Sequence, residues 1–276
     1  ATAVAQPPPP SAAKAAAALS AELLRAAYAL PPNEAGARQL TAFLDLASAL
    51  KAVEPEALSP ASDEALCFWT NIYHTLVRHA ALVLGPAVPA KEWGAGYAGL
   101  CYEVGAEVFS AAEVEACVLR GRLSRPAARA LPKHLPPPPP EGYEHYRFAL
   151  TRADARINFV LNCGSQSCPP SVYLLTPSWV EEQINRACGD FCAHTIKVDP
   201  KRKHIFFHKV CDTYAADFGQ RGDPVDALRY SLRFADERLL AEISPLLDGV
   251  GAGNIKHHAL SPKCRADLRL VCPPEG

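Results

Sequence analysis

The sequence has no methionine, no Asn-x-Ser/Thr acceptor and no excess of charge of either sign, with a formal net charge of −1. No apolar run approaches the roughly 18 residues needed to span a bilayer, so no transmembrane segment is expected. Its longest apolar stretches, such as His79 to Gly85, are core-sized. The missing acceptor weighs against a secretory history. Without a basic surplus, no nucleic-acid partner is expected. No phosphate-binding loop, dinucleotide fingerprint or zinc-protease helix motif occurs, so no cofactor is expected. Ala1 to Pro10 lacks the basic patch and apolar run of a signal peptide. A chain that begins with Ala and lacks Met reads as a processed form or an excised segment.

What is present is ordinary globular material. The 276 residues are 49% hydrophobic and 21% charged, enough to bury a substantial core. Ten cysteines are an even number. Their spacing is irregular and a chain of this size needs no staples, so neither disulfides nor a compartment follows from them. Residues 1–10 form a proline-rich lead-in, and 11–247 read as one domain with no repeat or dividing linker. Within it, 11–53 are N-terminal helices and 62–219 hold the motifs, leaving 248–276 as a C-terminal tail.

The patterning predicts an α+β fold, predominantly helical, with one central buried helix packed on a small β-sheet with a hairpin. Ser11 to Leu30 and Glu34 to Val53 read as helices, broken at Pro31 and Pro32. Ser62 caps the central helix, with Asp63 and Glu64 where the helix dipole favours acids, and Gly85–Pro86 stop it. Phe68, Ile72, Leu76, His79 and Val83 form an apolar stripe on it. Tyr102 to Ser110 reads as a hairpin, and Ser110 caps a helix through Leu119. Ala155 to Gly164 reads as a buried strand followed by a sharp loop, Ser165 to Pro170. A helix over Pro177–Ala193 precedes a hairpin through Thr195–His208. Helices then cover Val210–Phe218 and Pro224–Leu247. Pro126 to Pro140 reads as loop.

Three segments carry a resemblance. FWTNIYHTLVRHA begins at Phe68, YEVGAEVFSAAEVEACVLRG at Tyr102, and RINFVLNCGSQSCPPSVYLLTP at Arg156. In this order they resemble the motifs of the domain of unknown function 547 family, and VCDTYAADFG after Lys209 does so more faintly. The family pattern departs at four places. Asn158 stands where the family often has His, His74 where Asn is usual, Ala116 where His is common, and Thr213 where Trp is frequent. The resemblance implies an uncharacterised domain, with relatives described as interaction factors and a distant kinship to papain-like or transglutaminase-like thiol enzymes.

Two readings of the chemistry follow. In one, Cys163 is a nucleophile beside free N–H groups of the Gly164–Ser167 loop, with His79 as base and Asn71 as orienter. Eight residues apart, Asn71 and His79 lie about 80° apart around the central helix. In the other, these are core residues, and Trp69, Tyr73, Glu115, Arg120, Arg156, Asn158, Tyr214 and Asp217 form a hydrogen-bonded polar network or line a cleft. A zinc site from Cys163, Cys168, Cys188 and Cys192 is a weaker alternative, because close pairs need not converge. His204 and His208 suit a solvated sheet edge, and Cys264 with Cys272 either a late disulfide or two thiols. With Asn158 replacing the family's histidine, the expectation is a non-catalytic protein-interaction or scaffold module with an unidentified protein partner. The alternative is a cysteine hydrolase or acyl transferase using Cys163.

Overall fold

A computed structural model describes residues 11–31, 36–85, 89–126, 137–219, 222–258, 261, 263, 265 and 267–274. The proline-rich lead-in and Cys264 lie outside these residues, as does the middle of the Pro126–Pro140 loop.

The molecule is built around helix α3 (Asp63–Leu84), capped where the sequence says it should be. Ser62 Oγ accepts the Ala65 N–H at 3.1 Å, satisfying one of the orphan donors of the first turn. Every residue from Ala65 to Ala80 is buried. The stripe expected on one face is therefore only part of its contact surface, and Val83 at its end is 66% exposed. A helix buried on all sides must satisfy its polar side chains internally, and this one brings Asn71, His74, Arg78 and His79 into the interior.

Helix α1 (Ala12–Ala29) lies along α3, burying Leu23 and Ala27 in the main core and Leu24 against Leu174. Helix α2 (Ala37–Ser48) follows. Arg78 ties α3 to the end of α1, donating to the carbonyl oxygen of Leu30 at 2.9 Å. Helix α4 (Ala90–Gly99), which the patterning did not single out, places Trp93 and Tyr97 in the core.

Strands β1 (Cys101–Val104) and β2 (Glu107–Ser110) pair antiparallel as the expected hairpin. Gly105 sits in its turn at φ +62°, where a Cβ would lie 2.6 Å from the Val53 carbonyl oxygen, so only glycine fits. Ser110 and Glu113 form a capping box that opens the short helix α5 (Ala111–Glu113). The chain then widens into a π-helix, Val114–Leu119. Such a bulge rotates the following side chains relative to an α-helix, and it is frequent at functional sites.

The expected strand at Ala155–Gly164 is instead one helical turn, α6 (Ile157–Val160). Asp154 nucleates it: its side chain accepts the Arg156 N–H at 3.0 Å and its carbonyl accepts the Ile157 N–H at 3.1 Å. Strand β3 (Ser171–Tyr173), helix α7 (Val180–Thr195) and the β4–β5 hairpin (Lys197–Asp199, His204–His208) follow. Then come α8 (Lys209–Thr213), α9 (Pro224–Ser231) and α10 (Glu237–Leu247). A 3-10 turn, Leu232–Phe234, breaks the single helix expected over the last two. The segment after residue 247 is joined to the body. Strand β6 (Ile255–His258) pairs parallel with β5, and β7 (Arg269–Val271) parallel with β3. No described helix is long and apolar enough to cross a membrane.

Candidate functional site

The loop after α6 brings Cys163 to the wall of a cavity of about 70 Å3. Gly164, at φ +77°, lets the chain turn there, and a Cβ on it would lie 3.2 Å from the Trp93 ring. Asn162 braces the turn, accepting the Gly164 N–H at 3.0 Å and donating to the Pro169 carbonyl oxygen at 2.8 Å. Cys163 is half-buried, with its sulfur 3.8 Å from that of the buried Cys168. The Cys168 thiol and the Ser165 backbone N–H hold the Cys163 thiol below its ordinary value, against the opposing effect of burial. The same contact and burial push Cys168 well up. Of two coupled thiols, the one that accepts the hydrogen bond ionises first.

Tyr73 from α3 and Glu115 from the π-helix line the same cavity. Tyr97 donates to Glu115 Oε2 and, at 3.3 Å, accepts from the Tyr73 hydroxyl. Tyr214 donates to Glu115 Oε1 at 3.4 Å. Burial pushes the Tyr73, Tyr97 and Tyr214 hydroxyls up, so all three remain protonated donors at neutral pH. Next to them, Arg120 Nη1 donates to Asn158 Oδ1 at 2.5 Å and Nη2 to Asp217 Oδ2 at 2.8 Å. Asn158 Nδ2 closes the triangle on Asp217 at 2.9 Å. The Arg120 guanidinium also stacks on the Tyr214 ring, 3.3 Å from its centre. Side chains of this ion pair are 5% and 1% exposed, so charge and hydrogen bonds must be matched internally. On the other side of Arg120 and Tyr214 a second cavity of about 310 Å3 opens.

Six of the eight residues expected to form a polar network thus meet here: Tyr73, Glu115, Arg120, Asn158, Tyr214 and Asp217. Trp69 and Arg156 do not. Trp69 packs edge-on to Phe68 and Phe109 in the core. Arg156 lies outside, bound to Asp154, Glu181 and Asn185.

The imidazole and amide expected beside Cys163 are elsewhere. His79 has its Nδ1 3.0 Å from the Tyr102 hydroxyl and lies edge-on to Phe43. Six residues beyond Tyr73, it projects about 120° away around α3. Asn71 is occupied by backbone, accepting the Leu175 N–H at 3.0 Å and donating to the Leu175 carbonyl oxygen at 2.9 Å. It substitutes for a strand neighbour just after β3. The four thiols of the zinc alternative do not converge either. Cys188 and Cys192 are fully buried on α7, and Cys192 faces the Ser231 carbonyl oxygen. Among the described residues, the grouping able to offer three metal ligands is Glu107, Glu144 and His145, away from Cys163.

Two histidines approach the cavity instead. His74 Nε2 accepts the Asn162 N–H at 3.2 Å, and burial pushes the ring down to about 3. His208, at the end of β5, lines the cavity itself. Its Nδ1 caps α8 by accepting the Val210 N–H at 3.2 Å, which places the proton of the neutral ring on Nε2. That buried Nε2 has no hydrogen-bond partner. Burial, with His258 and His194 nearby, pushes the ring down to about 4, so it is neutral at pH 7. His208 was read as part of a sheet edge. The signal that would have found it is its position just before a helix start, where a side-chain acceptor is wanted.

The sequence model of the family described as "Protein of unknown function, DUF547" matches residues 56–192. That part of the chain is a domain of this family. The matched segment contains α3, the π-helix and both cavity cysteines, so this DUF547 domain supplies Tyr73, Glu115, Arg120, Asn158, Cys163 and Cys168. His208, Tyr214 and Asp217 come from beyond it. No curated protein and no solved structure matches the chain.

Proposed function

We propose that this DUF547 domain is a binding module without hydrolytic turnover, and that the cavity beside Cys163 is its recognition pocket. The observation that carries this reading is the commitment of three imidazoles, His79 away from the cavity and His74 and His208 beside it. His79 is held at Tyr102, His74 accepts a backbone amide, and His208 presents a proton rather than a lone pair. Acyl transfer by a thiol needs a general base that takes the proton and an acid that returns it to the leaving group. Here the thiol is poised by another thiol, and no such relay is in place among the described residues.

What the cavity offers suits recognition. Its walls include Ile157, Leu161, Phe191 and Val210, and among its polar groups the buried His208 Nε2–H has no hydrogen-bond partner. A small branched apolar group bearing one hydrogen-bond acceptor would satisfy both, as the side chain of a partner protein could. Helix α2 leaves Leu40 and Leu44 exposed and offers apolar surface to the same class of partner.

The second reading, a papain-like or transglutaminase-like hydrolase or acyl transferase using Cys163, draws on the lowered thiol alone. An activated ester separates the two. With p-nitrophenyl acetate, the protein is expected to release at most one equivalent of nitrophenolate by direct acylation, with no turnover beyond that of Cys163→Ser. Sustained release lost in that variant would establish the acyl transferase and overturn the binding reading. Isobutyramide serves as the pocket probe, expected to slow alkylation of Cys163 in the native protein and not in His208→Ala.

A further inference from the structure

We propose that Cys163 and Cys168 are a reversible dithiol–disulfide pair, making the cavity wall an oxidisable modification site. The inference is independent of what the cavity binds.

The geometry brings the two sulfurs to 3.8 Å. A disulfide bond is about 2.05 Å long, so the gap to be closed is under about 2 Å. The loop backbone is already folded back on itself and holds the two residues near one another. The Cys168 N–H donates to the Ser165 carbonyl oxygen at 3.0 Å, and the Ser165 and Ser167 hydroxyls meet at 2.7 Å. The loop is strapped from outside as well. Arg265 Nη1 donates to the carbonyl oxygens of Gln166 at 3.0 Å and Cys168 at 2.7 Å, and the Arg265 N–H donates to that of Gly164 at 2.7 Å. Both sulfurs therefore sit on a braced loop.

The two cysteines are also unequal in the way a redox pair requires. Cys163 is half-buried at the cavity and its thiol is lowered by its neighbour, whereas Cys168, on the same cavity wall, is 4% exposed and its thiol is pushed up. The first is placed to meet an oxidant and the second to resolve it. With hydrogen peroxide as the oxidant, the Cys163 thiolate attacks one oxygen. The S–O bond forms, the O–O bond breaks, and hydroxide leaves to be protonated to water. The Cys168 sulfur then attacks the Cys163 sulfur. The S–S bond forms, the S–O bond breaks, and the second water leaves with the Cys168 proton. The two thiols together lose two electrons, which reduce one peroxide to two waters. The bridge closes only the short loop from 163 to 168. It therefore constrains the unfolded chain little and stays within reach of cellular thiols.

The test uses the full chain, oxidised with one equivalent of hydrogen peroxide and mapped without reduction. Expected is a mass loss of about 2 Da confined to the peptide pair carrying Cys163 and Cys168, reversed by a reduced-glutathione buffer. In Cys168→Ser, oxidation should stop at a Cys163 sulfenic acid captured by dimedone. In Cys163→Ser, Cys168 should stay reduced. The proposal is overturned if wild-type Cys163 passes to sulfinic acid while Cys168 remains free, or if the bridge forms and glutathione fails to reduce it. Wild-type mapping alone decides this, so a variant that fails to fold does not remove the test. Ester turnover and isobutyramide protection are read separately, so failure of the pocket assignment is distinguishable from failure of the redox pair.

Discussion

The loop from Cys163 to Cys168 and helix α7 each carry two cysteines a few residues apart, yet they make opposite environments for sulfur. On α7, Cys188 and Cys192 are fully buried, and burial pushes both thiols up, Cys192 to about 12. In the loop, the two sulfurs lie 3.8 Å apart, and the neighbouring thiol and backbone N–H groups lower Cys163. The helix offers no free donors at those positions, because its N–H groups are spent within the helix. Spacing made both pairs equal candidates for zinc, whereas the backbone around them decides which thiol can react. A small thiol on an apolar helix face is packing material.

The largest effect is expected at the walls of the loop's cavity. Asp217→Ala leaves Arg120 buried and uncompensated, and should cost about 3–5 kcal/mol in urea unfolding. A loss under about 1 kcal/mol would mean that the triangle of Arg120, Asn158 and Asp217 does not hold the site.

Acid sharpens the contrast next. His208 is depressed from 6.5 to about 4 in the folded protein. Between those values the unfolded chain binds more protons, so stability falls as the pH drops through 6.5 and the His208 contribution levels off near 4. The loss from this ring is on the order of 3 kcal/mol. His208→Asn should flatten that part of the stability–pH curve, leaving the slope due to His74, which is depressed to about 3, and to His79, His194 and His257, which burial also lowers. An unchanged curve would place the His208 ring in a better solvated setting.

Serine substitution is the smaller probe. Cys188→Ser puts a hydroxyl into a fully buried apolar position and should cost about 1–3 kcal/mol. Cys163→Ser, at a half-buried position beside a donor thiol, should cost under about 1 kcal/mol. Equal costs would erase the distinction between the two pairs.

Much of the frame was legible because its signals are local. Ser62 before two acids, the glycine turn in Tyr102–Ser110 and the Ser110–Glu113 box each specify their own geometry. Six members of the network were legible too, being polar residues set among apolar ones. What was hidden depends on distance. Asn158 carries a letter pattern that suits a strand, but Asp154 starts a helical turn there. Strands β6 and β7 are short, and they exist only because β5 and β3 offer parallel edges far back in the chain. His79 looked as good a base as any on α3. Its rotation away from Tyr73 follows from helical period alone, but which face meets Cys163 does not.

The central claim is that Cys163 is a poised thiol without an imidazole relay, and site-resolved alkylation of the native protein across pH tests it most directly. A single ionisation is expected in the Cys163 rate profile, with a midpoint below that of an ordinary thiol near 8.5 and shifted upward in Cys168→Ser. A second inflection between pH 5 and 7 that disappears on replacing His74, His79 or His208, or a Cys163 as inert as Cys188 and Cys192, would contradict it.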